Sequence, residues 1–339
     1  MTVPQRLSRR RFLEAGAFSI AFASSVGANE LAPCGRKDCA DSPAPVPPAT
    51  PIATKTDAAN YLTVAARVNG KGPYRFIIDT GADRTILATE VAVELGLVRG
   101  ERVILDGVVQ TILADTVSLR ELTLGSITRK DMKVPTLPRA LLDADGYLGL
   151  DYLDGHRVTF DFKNHLLKVS DPRPRFSVDW MRDNEARINT FGPAGHLRSL
   201  DCRVDGVSAA AFIDSGAEVS AANAPLLAAL AKRNPAFGEI GNISLVDITG
   251  GEIAGKVVVA DRIQLPGLAF EQCPLVVANF QVFKVWGLTH SPALLIGMNL
   301  LRQFARVSVD YGLKELRFDL ATSPVLPQSL QGATAKNLT

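Results

Sequence analysis

The stretch FIIDTGADRTIL, residues 76–87, places one carboxylate, Asp79, directly after three apolar residues and just before a Thr-Gly-Ala turn. Asp is depleted in strands, and an unpaired buried carboxylate is costly, so its position at the end of an apolar run needs a physical reason. A simple turn is one reason, because Asp can bond its own backbone and Gly takes positive φ freely. A single copy of the stretch would favour that simple turn.

The chain contains a second copy of this stretch. Residues 66–87, ARVNGKGPYRFIIDTGADRTIL, are matched by residues 202–223, CRVDGVSAAAFIDSGAEVSAAN, so that Asp214 follows Asp79 by 135 residues. Further along, residues 146–162, GYLGLDYLDGHRVTFDF, are matched by LLIGMNLLRQFARVSVDY. Ordered matches of this kind indicate the duplication of a domain of roughly 100 to 130 residues, which is a common domain size.

Each copy has the pattern of a β domain. Short runs rich in β-branched and aromatic residues are bounded by Gly, Asn or Asp, which is typical of strands. Only ATEVAVELGL, residues 88–97, and APLLAALAK, residues 224–232, predict helices, one in each copy. The predicted fold class is therefore all-β, with two homologous closed or partly closed β-barrel lobes related by a pseudo-twofold axis, each carrying one short helix.

The N-terminus reads as a targeting segment. SRRRFLEAGAFSIAFASSVGANE has a basic start, an apolar stretch and small residues that end at Ala28, which is the pattern of a secretory signal peptide. Ser8 to Leu13 resemble a bacterial twin-arginine export motif, which predicts a periplasmic or secreted protein that uses the twin-arginine machinery. A lipoprotein-like LAPC ends at Cys34, but Pro33 argues against a lipid anchor there.

Composition and motif spacing divide the chain further. We predict a signal peptide at 1–28, a Pro-rich linker at 29–57, lobe 1 at 58–172, an interlobe connection at 173–195, lobe 2 at 196–320 and a C-terminal tail at 321–339. In an oxidising compartment Cys34 could pair with Cys39, and Cys202 with Cys273, but spacing alone establishes neither bond.

Charge and motif content exclude several function classes. Removing residues 1–28 takes away four Arg and one Glu, which changes the count from 37 basic and 35 acidic residues to 33 and 34. No basic stripe with interleaved aromatics remains, so nucleic acid is not an expected partner. The sequence has no HExxH, paired CxxC or GxSxG spacing, and we predict no metal site and no cofactor.

Two copies of apolar-apolar-Asp-(Thr/Ser)-Gly-Ala, each followed by an apolar-apolar-Gly element, resemble the retropepsin-like aspartic proteases. The resemblance covers residues 58–320, and IIDTGADRTIL is close to the retroviral form of the motif. Retroviral enzymes pair two identical chains, whereas this chain would carry both lobes itself. The resemblance therefore implies an aspartic endopeptidase that is a monomer with an intramolecular pseudo-dimer and acts on a peptide or protein substrate.

The resemblance assigns roles to the residues of both loops. Asp79 and Asp214 would share one proton in a desolvated cleft and activate a water molecule, because two adjacent carboxylates cannot both ionise. Thr80 and Ser215 would bond across the lobe interface. The other expected loop residues are Gly81, Ala82, Gly216 and Ala217, whose glycines allow close approach of the backbone.

The family also closes hairpin flaps over its substrate. The candidate flap glycines are Gly107 in LDGVVQT and the pair Gly250 and Gly251 in DITGGEIAG, although either segment could be an ordinary surface hairpin. Asp83 and Glu218 either orient the substrate backbone or are surface charges.

One more pair of acidic residues is repeated in the two copies. The repeated Asp161 and Asp310 each precede a hairpin turn and are expected to be structural. The alternative to a protease is a catalytically inactive bilobed protein that binds extended peptides in the same cleft.

Overall fold

The structure is a computed structural model, and it describes residues 50–53, 55–56, 62–170, 185–189 and 198–319. The expected signal peptide, Cys34, Cys39 and the C-terminal tail lie outside the described residues. No helix in the described part of the chain is both long and apolar enough to cross a membrane.

Strands account for most of the regular structure. In chain order they are β1 (Thr50–Ala53), β2 (Lys55–Thr56), β3 (Leu62–Val68), β4 (Lys71–Ile78), β5 (Ile86–Ala88), β6 (Val103–Asp106), β7 (Thr111–Ala114), β8 (Thr116–Leu124), β9 (Ile127–Leu137), β10 (Gly146–Leu148), β11 (Arg157–Asp161), β12 (Leu166–Ser170), β13 (Glu185–Asn189), β14 (Arg198–Val204), β15 (Val207–Ile213), β16 (Ala221–Ala222), β17 (Gly241–Val246), β18 (Glu252–Leu265), β19 (Leu268–Val277), β20 (Ala293–Ile296), β21 (Arg306–Asp310) and β22 (Glu315–Asp319). The helices are α1 (Thr89–Glu94), α2 (Arg139–Leu142), α3 (Leu150–Leu153), α4 (Ala224–Arg233), α5 (Gln281–Val285) and α6 (Met298–Leu301).

Each lobe is a closed six-stranded barrel. In lobe 1 the order is β3-β4-β10-β5-β9-β8, and a pairing between β3 and β8 closes the ring. In lobe 2 the order is β14-β15-β20-β16-β19-β18, and β14 pairs with β18. The pairing of β4 with β10 and of β15 with β20 is parallel, and the residues of these strands that pair with each other are apolar and buried. The two-barrel fold class predicted from the duplication is thus confirmed.

A third sheet joins the lobes. Its order is β1-β12-β11-β21-β22-β13, and its two central strands, β11 and β21, come from different lobes. Their register pairs Thr159 with Ser308, whose hydroxyls lie 2.9 Å apart, at the centre. The strand ends pair Arg157 with Asp310 and Asp161 with Arg306. This reciprocal register is what a pseudo-twofold axis through the middle of the strand pair requires.

The repeated aspartates at the ends of these strands organise turns, as expected. Asp161 Oδ1 accepts a hydrogen bond from Asn164 N at 3.1 Å, and Asp310 Oδ1 accepts one from Leu313 N at 2.9 Å. Cys202 and Cys273 are buried free thiols rather than a disulfide, and burial raises the pKa of each thiol to about 12.

Three details differ from the sequence-based expectations. β1 lies within the expected Pro-rich linker and pairs with β12, and β13 lies within the expected interlobe connection and pairs with β22. Both segments become strands because an edge of the shared sheet offers them backbone partners. Among the described residues, each lobe also has three helices rather than the one expected. The additional helices, α2, α3, α5 and α6, have only four or five residues, which is too short for a periodic sequence pattern to predict them.

Candidate active site

The two Asp loops leave equivalent strands of the two barrels. Asp79 follows β4 and Asp214 follows β15, and each backbone N–H donates to the strand that runs parallel to its own, Asp79 N to Leu148 O and Asp214 N to Ile296 O, both at 3.0 Å. Both aspartates are buried. The parallel strand pair therefore fixes where each carboxylate leaves the barrel.

Thr80 and Ser215 join the two loops by four crossed hydrogen bonds. Thr80 N donates to Ser215 Oγ at 3.1 Å, and Ser215 N donates to Thr80 Oγ1 at 2.9 Å. The hydroxyls then donate onward across the interface, Thr80 Oγ1 to Ile213 O at 3.1 Å and Ser215 Oγ to Ile78 O at 2.8 Å. Both side chains are almost completely buried, so their polar groups form hydrogen bonds with the opposite loop instead of with water.

The glycine of each loop lies against the carboxylate of the other loop. A Cβ built on Gly81 would stand 2.5 Å from Asp214 Cγ, and one built on Gly216 would stand 2.4 Å from Asp79 Cγ. No real side chain tolerates such a contact. Glycine is thus required at both positions, because the backbone of each loop packs directly against the carboxylate of the other loop.

Backbone amides orient both carboxylates. Asp79 Oδ1 accepts from Gly81 N at 2.8 Å and from Ala82 N at 3.0 Å, and Asp214 Oδ1 accepts from Gly216 N at 2.8 Å. The backbone of Ala217 also bonds Asp214. The two loops therefore present their carboxylates to each other in the same way.

The two carboxyl groups share a hydrogen bond, and both have raised pKa values. Burial, followed by the charge of Asp214, holds the pKa of Asp79 well above its usual range, and burial raises the pKa of Asp214. The two carboxyl groups interact directly, so the ionisation of each depends on that of the other. The titration therefore belongs to the pair.

A second hydrogen-bonded layer supports each loop, and the sequence analysis missed it. In lobe 1, Asp151 Oδ1 accepts from both the N–H and the hydroxyl of Thr85 at 2.7 Å, and Gly149 N donates to that hydroxyl at 3.2 Å.

Lobe 2 repeats this layer with an amide in place of the carboxylate. Asn299 Oδ1 accepts from Ser220 N at 2.9 Å and from Ser220 Oγ at 2.7 Å, while Gly297 N donates to Ser220 Oγ at 3.0 Å. Thr85 and Ser220 stand at the same offset after their aspartates, and this repeat is the signal that could have revealed the layer.

Asp83 and Glu218, for which two roles were open, occupy equivalent backbone positions. Their carbonyl oxygens accept from Asp151 N at 3.2 Å and from Asn299 N at 3.1 Å, respectively. Asp83 is half-buried and Glu218 is exposed.

The candidate flap glycines lie in two hairpins whose tips meet. Gly107 begins the turn of the β6–β7 hairpin, and Gly250 and Gly251 lie in the turn between β17 and β18. Val109 N of the first tip donates to Asp247 Oδ2 of the second at 2.8 Å. Val108 of the first hairpin packs against the same apolar cluster of lobe 2 as Ala217, so the hairpins stand on the side of the barrels where the dyad lies.

Within the described part of the chain, no group of three or more His, Cys, Asp or Glu side chains is arranged to hold a metal ion. Asp79 and Asp214 are the two carboxylates that the Asp loops bring together.

Two barrels that each bring one Asp-(Thr/Ser)-Gly-Ala loop to a common interface define a bilobed acid-protease fold. The family model described as aspartyl protease matches residues 64–152 and 200–300, one region in each lobe. These regions make up more than half of the chain, which therefore belongs to the aspartyl protease family. A search of curated proteins found no match.

Proposed function

We propose that this protein is an aspartic endopeptidase whose catalytic dyad is Asp79 and Asp214. The observation that carries the proposal is the pair of buried, mutually hydrogen-bonded carboxyl groups, each held by amides of its own loop and closed beneath by a glycine of the other loop. Two carboxyl groups whose environment favours one shared proton can act as an acid and a base at the same pH.

The chemistry follows from the single shared proton. The ionised carboxylate takes a proton from a water molecule, whose oxygen attacks the scissile carbonyl carbon, while the protonated carboxyl group gives its proton to the carbonyl oxygen. In the resulting gem-diol, the newly protonated carboxyl group gives its proton to the amine nitrogen, the C–N bond breaks, and the other carboxylate takes a proton from a gem-diol hydroxyl, which restores the singly protonated pair. No covalent intermediate forms, so the site needs no Ser or Cys nucleophile.

The rigid loop network supports this role. Acid and base must stay within hydrogen-bond reach of one water molecule, and the four crossed bonds of Thr80 and Ser215 limit how far the carboxyl groups can separate. We assign Gly81, Ala82, Gly216 and Ala217 to the same loop support, and the two hairpins to the roof over an extended peptide.

The proposal is tested by cleavage of a random peptide library between pH 3 and 7, with the wild type beside Asp79→Asn and Asp214→Asn. Because only the singly protonated dyad is active, wild-type activity should pass through a maximum on the acidic side of neutral. Both variants should lose turnover by similar large factors, since the two carboxyl groups work as one unit.

The variants should still bind peptides, because the backbone contacts of the cleft remain. A wild-type protein that binds peptides without cleaving them, and that behaves like both variants, would replace the endopeptidase by the inactive peptide-binding protein.

We also propose that the protein is exported through a bacterial twin-arginine pathway and works as a monomer in the periplasm or outside the cell. The support is the basic and apolar pattern of residues 1–28 and the presence of both Asp loops in one chain.

A further inference from the structure

The two hairpin tips are joined by polar contacts of side chains. The tip of the β6–β7 hairpin comprises residues 107–110, and that of the β17–β18 hairpin comprises residues 247–251. Val109 N donates to Asp247 Oδ2 at 2.8 Å, and Gln110 Nε2 donates to Thr249 O at 3.0 Å. Thr249 is buried although it lies in a hairpin turn, because the opposite tip covers it.

The two oxygens of Asp247 have separate tasks. Oδ1 organises its own turn, since it accepts from Thr249 N and Gly251 N at 3.0 Å each and from Thr249 Oγ1 at 2.5 Å. Oδ2 accepts from Val109 N of the other hairpin. The bonds of Oδ1 shape the turn, and the bond of Oδ2 is one of the two hydrogen bonds that join the hairpin tips.

The first hairpin has a space that fits this carboxylate. Gly107 begins its turn as Asp247 begins the other, and a Cβ built on Gly107 would stand 2.4 Å from Asp247 Oδ2 and 2.6 Å from Thr249 Cγ2. Any larger residue at position 107 would therefore separate the tips. The carboxylate of Asp247 thus occupies the space that a side chain at Gly107 would take. The contact occurs once, because the two hairpins carry different residues where their turns begin.

The hairpins also differ in how each is held by the opposite lobe. The first hairpin accepts a hydrogen bond at Val108 O from Val282 N of α5 at 3.2 Å, and the Val108 side chain packs on the apolar cluster of lobe 2. The second hairpin passes near Leu141 of α2, whose Cδ1 would lie 3.5 Å from a Cβ built on Gly250, and its Ile248 packs against the main hydrophobic core. The first hairpin is thus anchored to the opposite lobe by a backbone hydrogen bond, whereas the second meets that lobe through apolar packing and the hydrogen bonds between the two tips.

We propose that Asp247 is a positioning residue that latches the β17–β18 hairpin to the anchored β6–β7 hairpin and so closes the roof over the Asp79–Asp214 pair. The β17–β18 hairpin is the half that opens to admit a substrate. The effect on peptide cleavage rests on the proposed function, but the latch itself can be measured in the absence of any activity.

The most selective variant is Asp247→Asn. An Asn whose oxygen takes the Oδ1 position keeps the three bonds within the turn and turns its NH₂ group toward Val109 N–H. Of the two hydrogen bonds between the tips, only the one from Val109 N is then lost, and the one from Gln110 Nε2 to Thr249 O stays. Gly107→Ala breaks the same contact from the opposite side. Asp106→Asn is the matched control, because Asp106 Oδ1 accepts only from Thr111 of its own hairpin, at 2.6 Å.

Hydrogen–deuterium exchange of the full-length protein reads the latch directly. The Val109 amide should exchange at least about tenfold faster in Asp247→Asn and Gly107→Ala than in the wild type or in Asp106→Asn. In Asp247→Asn the amide of Gly107, which donates to Gln110 O within its own hairpin, should keep its wild-type rate. An unchanged Val109 rate in Asp247→Asn, or an equal acceleration in Asp106→Asn, would overturn the latch.

Kinetics separate a latch from a catalytic role. Losing a contact that holds the roof should raise KM by about three- to thirtyfold and leave kcat within about threefold, because the roof binds substrate and transition state alike. A fall in kcat with unchanged KM would refute this assignment. If the wild type shows no cleavage but the Val109 amide responds as described, the endopeptidase proposal fails and the latch stands.

Discussion

Truncating Thr80 to Ala tests whether the crossed hydrogen bonds hold the two lobes together. The substitution removes one hydroxyl that both accepts from Ser215 N and donates to Ile213 O. It leaves a buried N–H and a buried carbonyl without their partner. Each of the two stranded groups costs about 1–3 kcal/mol, so the free energy of unfolding should fall by roughly 2–6 kcal/mol.

That loss is a large part of the total stability of a typical protein, about 5–15 kcal/mol. Chemical denaturation followed by circular dichroism measures it. Thr80→Ser keeps the hydroxyl and should cost less than about 1 kcal/mol. Thr123→Ala is the matched control, because its hydroxyl contacts Thr128 at 3.0 Å in an exposed position and should change stability by about 0.5 kcal/mol or less.

Ser215→Ala strands the equivalent pair of groups, Thr80 N and Ile78 O, and should cost a similar amount. The double variant should cost less than the two single variants together, because all four bonds belong to one network. If Thr80→Ala destabilised the protein no more than Thr123→Ala, the crossed bonds would not stabilise the lobe interface and the argument from burial would be wrong.

Three further predictions concern the dyad, the oligomeric state and export. Burial and the neighbouring carboxyl group raise the pKa of Asp79, so above about pH 4 the native state keeps a proton that the unfolded state has released. The free energy of unfolding should therefore fall as pH rises above about 4. Denaturation curves measured between about pH 4 and 7 should show a smaller fall in Asp79→Asn than in the wild type. A pH dependence that the variant leaves unchanged would assign the effect to other groups. Specific cleavage activity should stay constant on dilution, since one chain supplies both aspartates, and a progressive loss would instead indicate a dimer. Changing Arg9 and Arg10 to Lys should block export if the twin-arginine pathway is used, and an unchanged periplasmic yield would rule out that pathway.

The sequence was sufficient to predict the two barrels and the position of the Asp loops. The reason is that the duplication supplies an internal comparison, so Asp79 and Asp214 are seen twice in the same surroundings. One copy of Asp-Thr-Gly would have remained an ordinary turn.

The supporting layer was missed because its two versions differ in chemistry and join distant positions. Thr85 bonds a carboxylate at Asp151, whereas Ser220 bonds an amide at Asn299. Sequence periodicity says nothing about pairs that lie more than 60 residues apart. The strand β13 was missed for a related reason, since it is a strand only because β22 lies beside it.

The hairpin contact could not be predicted because it depends on where the lobes differ. The positions that begin the two turns carry Asp247 and Gly107, and the comparison of the copies treats such a mismatch as divergence. Only the structure shows that the Asp247 carboxylate fills the space beside Gly107. An asymmetric contact between two duplicated lobes therefore has to come from positions at which the two copies differ.

The opening problem of a carboxylate at the end of a buried strand is resolved at the lobe interface. Every group that makes the position of Asp79 tolerable either belongs to its own loop amides or comes from the other lobe: Gly216 beneath it, Asp214 beside it and Ser215 behind the loop. A second negative charge in this place would repel the first with little water to screen it, which is why the pair holds a proton. Ionising both carboxyl groups therefore opposes the docking of the lobes as well as the chemistry. The same rise in pH that removes this proton should weaken the interface around it. The crossed bonds of Thr80 and Ser215 carry no charge, so they and the shared sheet should continue to hold the lobes together through that change.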